Sequence, residues 1–229
     1  DALRIRRSPG EEVIRMATNG DYRITSLAQL RTVISEPNAM VRMKVQTQLD
    51  EVAIDYISRS PFLVLATTDA EGNLDASPKG DHPGFVLAED SSTIVIPERK
   101  GNKLLFGMQN ILANPHVAMV FMIPGTGETF RVNGVAELTT EPQLLAKLVA
   151  RGQPAILAIR VTIHECFFHC AKAFIRSQLW KPESWGDAMR ISFGSYLGKK
   201  LGADDNFARQ VDDAIAQDYA SVDPAKNAR

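Results

Sequence analysis

The sequence predicts an antiparallel β-barrel decorated with helices. Three observations carry that expectation. Short apolar runs bounded by turn residues follow one another as hairpins and meanders, not as alternating strands and helices. Segments of helical period lie mostly before and after those runs. The 229 residues are 45% hydrophobic and 23% charged, enough for one large domain, or one domain with extensions, around its own core.

Residues 1 to about 20 carry Arg4, Arg6 and Arg7, then Pro9-Gly10, and read as a weakly ordered arm. Ser26 caps a helix over LAQLRTVI, in which Leu27, Leu30 and Val33-Ile34 recur at helical spacing; Pro37-Asn38 ends it. A second helix is expected from about Ala39 to Ser58, because Val41, Val45, Leu49, Val52-Ala53 and Tyr56-Ile57 repeat every three or four residues. Ser60-Pro61 closes it.

The pattern then changes to strands. Phe62 to Thr67 is continuously apolar and meets Leu74 to Pro78 across the turn residues Asp69 to Asn73. Phe85 to Ala88 pairs with Thr93 to Ile96 across Glu89 to Ser92. Lys103 to Leu112 reads as a helix ended by Asn114-Pro115, Val117 to Ile123 as a buried strand, and Glu128 to Leu138 as an alternating strand. Thr140 caps a helix begun by Glu141-Pro142 and stopped at Gly152; Ala155 to Ile163 is the last clear strand. The segment FIRSQLWKPESWG leads away from the barrel, and the tail from Asp187 to about Tyr219 is amphipathic and helical. The expected organisation is an arm and helices packing on the barrel over 1–58, the barrel over 59–185, and a helical tail over 186–229.

Bulk properties exclude several function classes. A formal net charge of −1 gives no global attraction for nucleic acid or an anionic membrane. No apolar run approaches the roughly 20 residues needed to span a bilayer. The first residues lack the apolar stretch of a signal peptide, so the expected location is the cytoplasm. Cys166 and Cys170 stand beside His164 and His169, but their spacing matches none of the usual paired-ligand patterns for zinc. Reduced thiols are the plainer reading, and no metal is expected.

Two loops carry the chemistry. One holds Ser77 and Lys79; the other holds Arg99, Lys100, Gly101, Asn102 and Lys103 ahead of a helix. Cations, amides and unsatisfied N–H groups at a helix start suit a phosphorylated ligand. The plainer reading of the second loop is a solvated basic turn. His82 reads more plainly as an exposed loop residue than as a group acting on substrate, and His169, Cys170 and Lys172 more plainly as packing at a strand end than as ligand contacts. No catalytic residue is singled out.

The ordered set SPFLVLATTDAEGNLDASPKGDHPGFV, VIPERKGNKLLFGMQNILANPHVAMVF, ETFRVNGVAELT and FFHCAKAFIRSQLW resembles the pyridoxamine 5′-phosphate oxidase-like family of FMN-binding split barrels, over about residues 57 to 185. The resemblance is to a subgroup carrying SPKGDHPGFV. The serine-arginine-lysine loop and RLHDR-like ending of the vitamin B6 oxidases are absent, the corresponding segments reading ERKGNK and DPAKNAR. The resemblance implies a homodimer with FMN at the subunit interface. It implies that Ala76, Ser77, Pro78 and Lys79 lie along the ring and ribityl chain, with Ile96 and Pro97 on the next strand. It places Arg99 to Lys103 at the phosphate and Thr129 and Arg131 at the pyrimidine edge. Arg176, Ser177 and Trp180 would approach from the second subunit. The implied activity is an oxidoreductase passing electrons from a reduced nicotinamide or similar donor through FMN to a small acceptor. A non-enzymatic flavin-binding or sensor module, and the same barrel holding a deazaflavin or haem, are the competing readings.

Overall fold

A computed structural model describes residues 22–223, and the N-terminal arm expected from the sequence lies outside them. The strands are β1 (Phe62–Thr68), β2 (Leu74–Gly80), β3 (Leu87–Ala88), β4 (Thr93–Glu98), β5 (His116–Met122), β6 (Thr129–Thr139) and β7 (Leu157–His169). They form one antiparallel sheet in the order β2-β1-β5-β6-β7-β4-β3. This is the antiparallel split β-barrel, mainly β with helices, that the sequence predicts, with helical extensions at both ends.

Alternation builds the core. Leu63 and Leu65 on β1, Met119 and Phe121 on β5, and Phe130 and Val132 on β6 turn to one face, where they meet Ile94, Ile96, Ile159 and Val161 in a single cluster. Each such side chain, fully buried, stabilises the fold by roughly 1.5–3 kcal/mol. Strand β4 is buried on both faces. Its Val95 points the other way, onto Leu144 and Leu148 of the turn-and-helix α5 region (helix Pro142–Lys147). That double burial explains the unbroken apolar run IVI.

The helix expected over residues 39–58 is two helices. After α1 (Leu27–Val33), α2 spans only Ala39–Arg42 and α3 spans Glu51–Arg59. The segment between them is drawn into the sheet: Gln46 and Cys166 exchange backbone bonds of 2.9 and 2.8 Å, and Leu49 N–H donates to the Ser91 carbonyl at 2.7 Å. Asp50 then restarts the helix by accepting from Ala53 N–H at 2.8 Å. Val41 and Val45, counted as helix-face residues, are exposed, whereas Tyr56 of α3 packs edge-on against Phe168 and donates to the Glu128 carbonyl at 2.7 Å.

Other boundaries move. The strand expected over Phe85 to Ala88 is only Leu87–Ala88, Phe85 and Val86 being buried in the core ahead of it. Strand β7 runs on past Ile163 to His169 because β6 begins early enough to pair Thr129 with it. A bulge at Asn133/Gly134 absorbs the extra residue. Helix α4 (Phe106–Ala113) starts three residues later than the sequence suggests, because Lys103 and Leu105 sit at φ of 63° and 59°. Helix α5 ends at Lys147, well before Gly152. Helix α6 (Lys172–Ser177) closes this first unit, which extends to Trp180.

The second unit begins at Lys181 and contains α7 (Phe193–Leu201) and α8 (Asp205–Val222). Gly194 lets the two helices approach so closely that a Cβ there would overlap the Ala208 carbonyl. Asp212 accepts from Gly194 N–H at 2.8 Å and fastens the pair.

Candidate functional site

The split in the barrel creates the site. β3 pairs with β4 only at Ile94 and Val95, so the Ile96–Glu98 half of β4 has no strand on that side. The end of β2 lies across this gap. Two ion pairs bridge it in place of a backbone ladder: Lys79 Nζ to Glu98 Oε2 at 2.5 Å, and Arg99 Nε to Asp81 Oδ2 at 3.0 Å. Each side of the gap supplies one cation and one carboxylate.

Beside the bridge opens a cavity of about 540 Å³. This lies within the range of ligand-binding pockets. Ala76, Ser77, Pro78 and Lys79 form one wall, and Arg99, Lys100, Gly101, Asn102 and Lys103 another. The start of α4 closes a third side with Phe106, Gly107 and Met108. No side chain caps that helix, so its first N–H groups remain donors at the cavity wall. Asn102 Oδ1 accepts from Leu104 N–H at 3.0 Å, which leaves its –NH₂ to donate elsewhere. Lys100 and Lys103 carry no ion pair among the described residues.

The structure thus brings two predicted loops, residues 76–79 and 99–103, to one cavity. It adds lining residues that no local motif marks. Ile156 and Leu157 arrive through the pairing of Glu98 with Leu157. Asp75 accepts from the Ser77 hydroxyl at 2.7 Å. Glu98, the last residue of β4, is an acid in a wall otherwise rich in cations. Two predicted cations are already engaged, Lys79 by Glu98 and Arg99 by Asp81 and the Leu148 carbonyl.

Other predicted residues stand elsewhere. Ile96 is fully buried in the core, and Pro97 borders a smaller cavity of about 160 Å³ with Phe85 and Asp81. Arg131 is in register with Pro78 across the sheet, through Val64 and Val120. That is three strand spacings, about 14 Å, from the main cavity wall. The parallel row runs Ala76, Ala66, Ala118, Asn133. Up to Arg131 and Asn133, the two rows are small and aliphatic side chains on the outer sheet face. At their far end Arg131 donates to Asn133 Oδ1 at 3.1 Å and lies over the Phe167 ring at 5.7 Å. Arg131 also borders a separate cavity of about 340 Å³ with His116 and His164. Thr129 is buried beside His169.

Arg176 and Ser177 are exposed on α6. Trp180 donates from Nε1 to the Thr126 carbonyl at 2.8 Å and stacks on Phe174 at 5.5 Å. None of these three lines the main cavity. His169 titrates below its usual range because it is partly buried, with the charges of Lys44 and Arg131 adding to the effect. Cys166 and Cys170 do not converge on a metal site: the first is buried with its thiol on the Gln48 carbonyl, and the second is exposed. No group of three or more metal-ligating side chains is assembled among the described residues. Nor is any described helix long and apolar enough to cross a membrane.

Comparison with known proteins identifies the family. None of the curated proteins matches the chain. Among solved structures, the HupZ protein of Group A Streptococcus is 19% identical, covering 52% of this chain and 93% of its own at a TM-score of 0.43. An FMN-binding protein from Syntrophomonas wolfei is 11% identical over 50% of this chain and 80% of its own, with a TM-score of 0.39. An F420 reductase is 20% identical over 53% and 98%, with a TM-score of 0.38. Residues 49–170, more than half of the chain and including every strand of the barrel, match the pyridoxamine 5′-phosphate oxidase family, whose members bind FMN and include flavin-dependent oxidoreductases. The chain belongs to the pyridoxamine 5′-phosphate oxidase family.

Proposed function

We propose that this protein binds FMN in the cavity beside the barrel split, as a homodimer, and uses it as an oxidoreductase. One observation carries the reading: a single cavity joins an anion-suited wall, made by Lys100, Asn102, Lys103 and the uncapped start of α4, to an apolar wall whose Ala76 and Pro78 are in register with the small and aliphatic residues of β1 and β5. FMN has this polarity, a phosphate at one end and a flat, largely apolar ring at the other. The donor set fits it. Lys100, Gly101, Asn102 and Lys103 would hold the phosphate. Ser77 offers a hydroxyl to the ribityl chain, and Ala76 and Pro78 offer flat contact to the ring. Arg131 and Asn133, at the far end of those rows, offer donors to its polar edge. Ile96 contributes backbone alone, its side chain being in the core, and Pro97 stiffens the strand beside it. Bound FMN would supply hydride and electron transfer, and the protein's part is orientation and donor placement. Arg176, Ser177 and Trp180 would reach the site from the partner subunit, which would also cover the outer sheet face.

The experiment is an absorbance spectrum of the purified protein with and without added FMN, followed by anaerobic NADH or NADPH. Flavin bands that bleach support an oxidoreductase. Bands that persist would leave a binding module, and a protein that takes up no FMN would overturn the reading. Lys100→Ala with Lys103→Ala should weaken FMN by an order of magnitude or more, since charge-assisted hydrogen bonds contribute roughly 1.5–3 kcal/mol each. Unchanged retention would remove the phosphate from this loop.

A further inference from the structure

We propose that Glu98 is a specificity-determining residue that holds down the site's preference for a phosphorylated flavin over an unphosphorylated one. The inference rests on the flavin reading above and concerns how strongly the phosphate contributes to it.

Four cations line the main cavity: Lys79, Arg99, Lys100 and Lys103. Arg99 is taken by Asp81, and Lys79 by Glu98. Lys79 and Glu98 are both mostly shielded from water, at 15% and 18% exposure, so their charges act on each other and on a ligand with little screening. Both also face the cavity. An anion approaching the Lys79 ammonium therefore meets the Glu98 carboxylate at the same place, and the two effects oppose. The backbone that carries Glu98 is fixed. It is held in β4 by pairing with Leu157, and its carbonyl accepts from Ile156 N–H at 3.0 Å. The attraction for a phosphate thus falls on Lys100 and Lys103, and Lys79 contributes only as much as Glu98 leaves.

This predicts a charge ladder. The pair as it stands is neutral. Glu98→Gln keeps the shape and leaves a net positive charge; Lys79→Met leaves a net negative one; the double variant is neutral again. The readout is the ratio of riboflavin to FMN dissociation constants, measured by flavin fluorescence quenching on the full chain. Relative to the unmodified protein, Glu98→Gln should raise that ratio, and Lys79→Met lower it, by about tenfold each, the scale of one added or removed charge contact in a shielded site. The double variant should return near the starting ratio. Glu98→Ser, a smaller neutral substitution, should shift the ratio in the same direction as Glu98→Gln, and serves if the glutamine variant does not fold. A ratio that stays flat across the ladder, or falls in the Glu98 variants, overturns the proposal: the pair would then be only a clasp across the split. If no form of the protein binds either flavin, the FMN reading itself fails, whereas flavin binding with a flat ratio removes the role of Glu98 alone.

Discussion

Arg99 reaches across the barrel split to Asp81, Nε to Oδ2 at 3.0 Å, while its Nη1 donates to the Leu148 carbonyl at 2.8 Å. One guanidinium therefore ties the end of β4, the end of β2 and the turn after α5 together. Asp81 is only 7% exposed, and its other cation, Arg151, lies farther off at 3.8 Å. Removing Arg99 would leave a shielded carboxylate with the His82 N–H, from which it accepts at 2.9 Å, and one distant cation. We expect Arg99→Ala to lower stability by about 1–3 kcal/mol, less than the loss of a fully buried pair because Arg99 is partly solvated. Urea denaturation measures this. An unchanged midpoint would show that Asp81 is satisfied without Arg99, and would return Arg99 to the ligand side of the cavity.

The bulge between β6 and β7 makes a second prediction. Gly134 approaches Thr162 so closely that a Cβ would overlap the Thr162 carbonyl and press on Val161, both in the barrel wall. Gly134→Ala must push β7 away from β6 or distort the bulge. Overpacking of this kind costs typically 1–3 kcal/mol. The thermal midpoint should fall accordingly, and an unaltered midpoint would mean that the bulge is free to shift.

The sequence discloses the strands and the two loops because their signals are local. FLVLAT, VAMVFMI and the alternating ETFRVNGV carry their own period, and ERKGNK concentrates cations beside a glycine. What it conceals is made by distant partners. The apolar spacing of Val41 and Val45 continues a helical pattern that the backbone pairing of Gln46 with Cys166, 120 positions away, interrupts. Ile156 and Leu157 enter the cavity through strand pairing alone. The occupation of Lys79 by Glu98 and of Arg99 by Asp81 depends on the geometry of the split, and nothing in ERKGNK says which cations remain available to a ligand. The separation of Arg131 from the main cavity follows from sheet order, which places β1 and β5 between β2 and β6.

The two thiols should behave very differently. Cys166 is buried against the Gln48 carbonyl, and burial, helped by the charges of Asp50 and Glu165, pushes its thiol up to about 11. Cys170 is exposed just past the end of β7. A thiol reagent at mild alkaline pH should label one cysteine quickly in the native protein and the second only on unfolding. Cys170→Ser should abolish the fast phase. The raised value also has a sign for stability. The folded state keeps the Cys166 proton after the unfolded chain has lost it, so this contribution is intact below about 9.0 and is lost as pH rises towards 11. Rapid labelling of both thiols in the native state would contradict the burial of Cys166.

His169 gives the opposite pH dependence. Partial burial at the β7 end disfavours its charged form, and Lys44 and Arg131 add repulsion, so its folded value lies below the usual 6.5. As pH falls through 6.5 the unfolded chain takes up the proton first, because the folded imidazole resists it. Stability from this group is therefore complete above that value and declines as pH falls from 6.5 to the folded value, below which the loss is constant. His169→Gln, which carries no proton to gain, should show a shallower decline in urea midpoint between pH 7.5 and 5.5 than the unmodified protein, while their difference at pH 7.5 reports packing alone. Equal slopes in the two proteins would mean that His169 charges as readily in the fold as in the unfolded chain, and that Lys44 and Arg131 exert no effect on it.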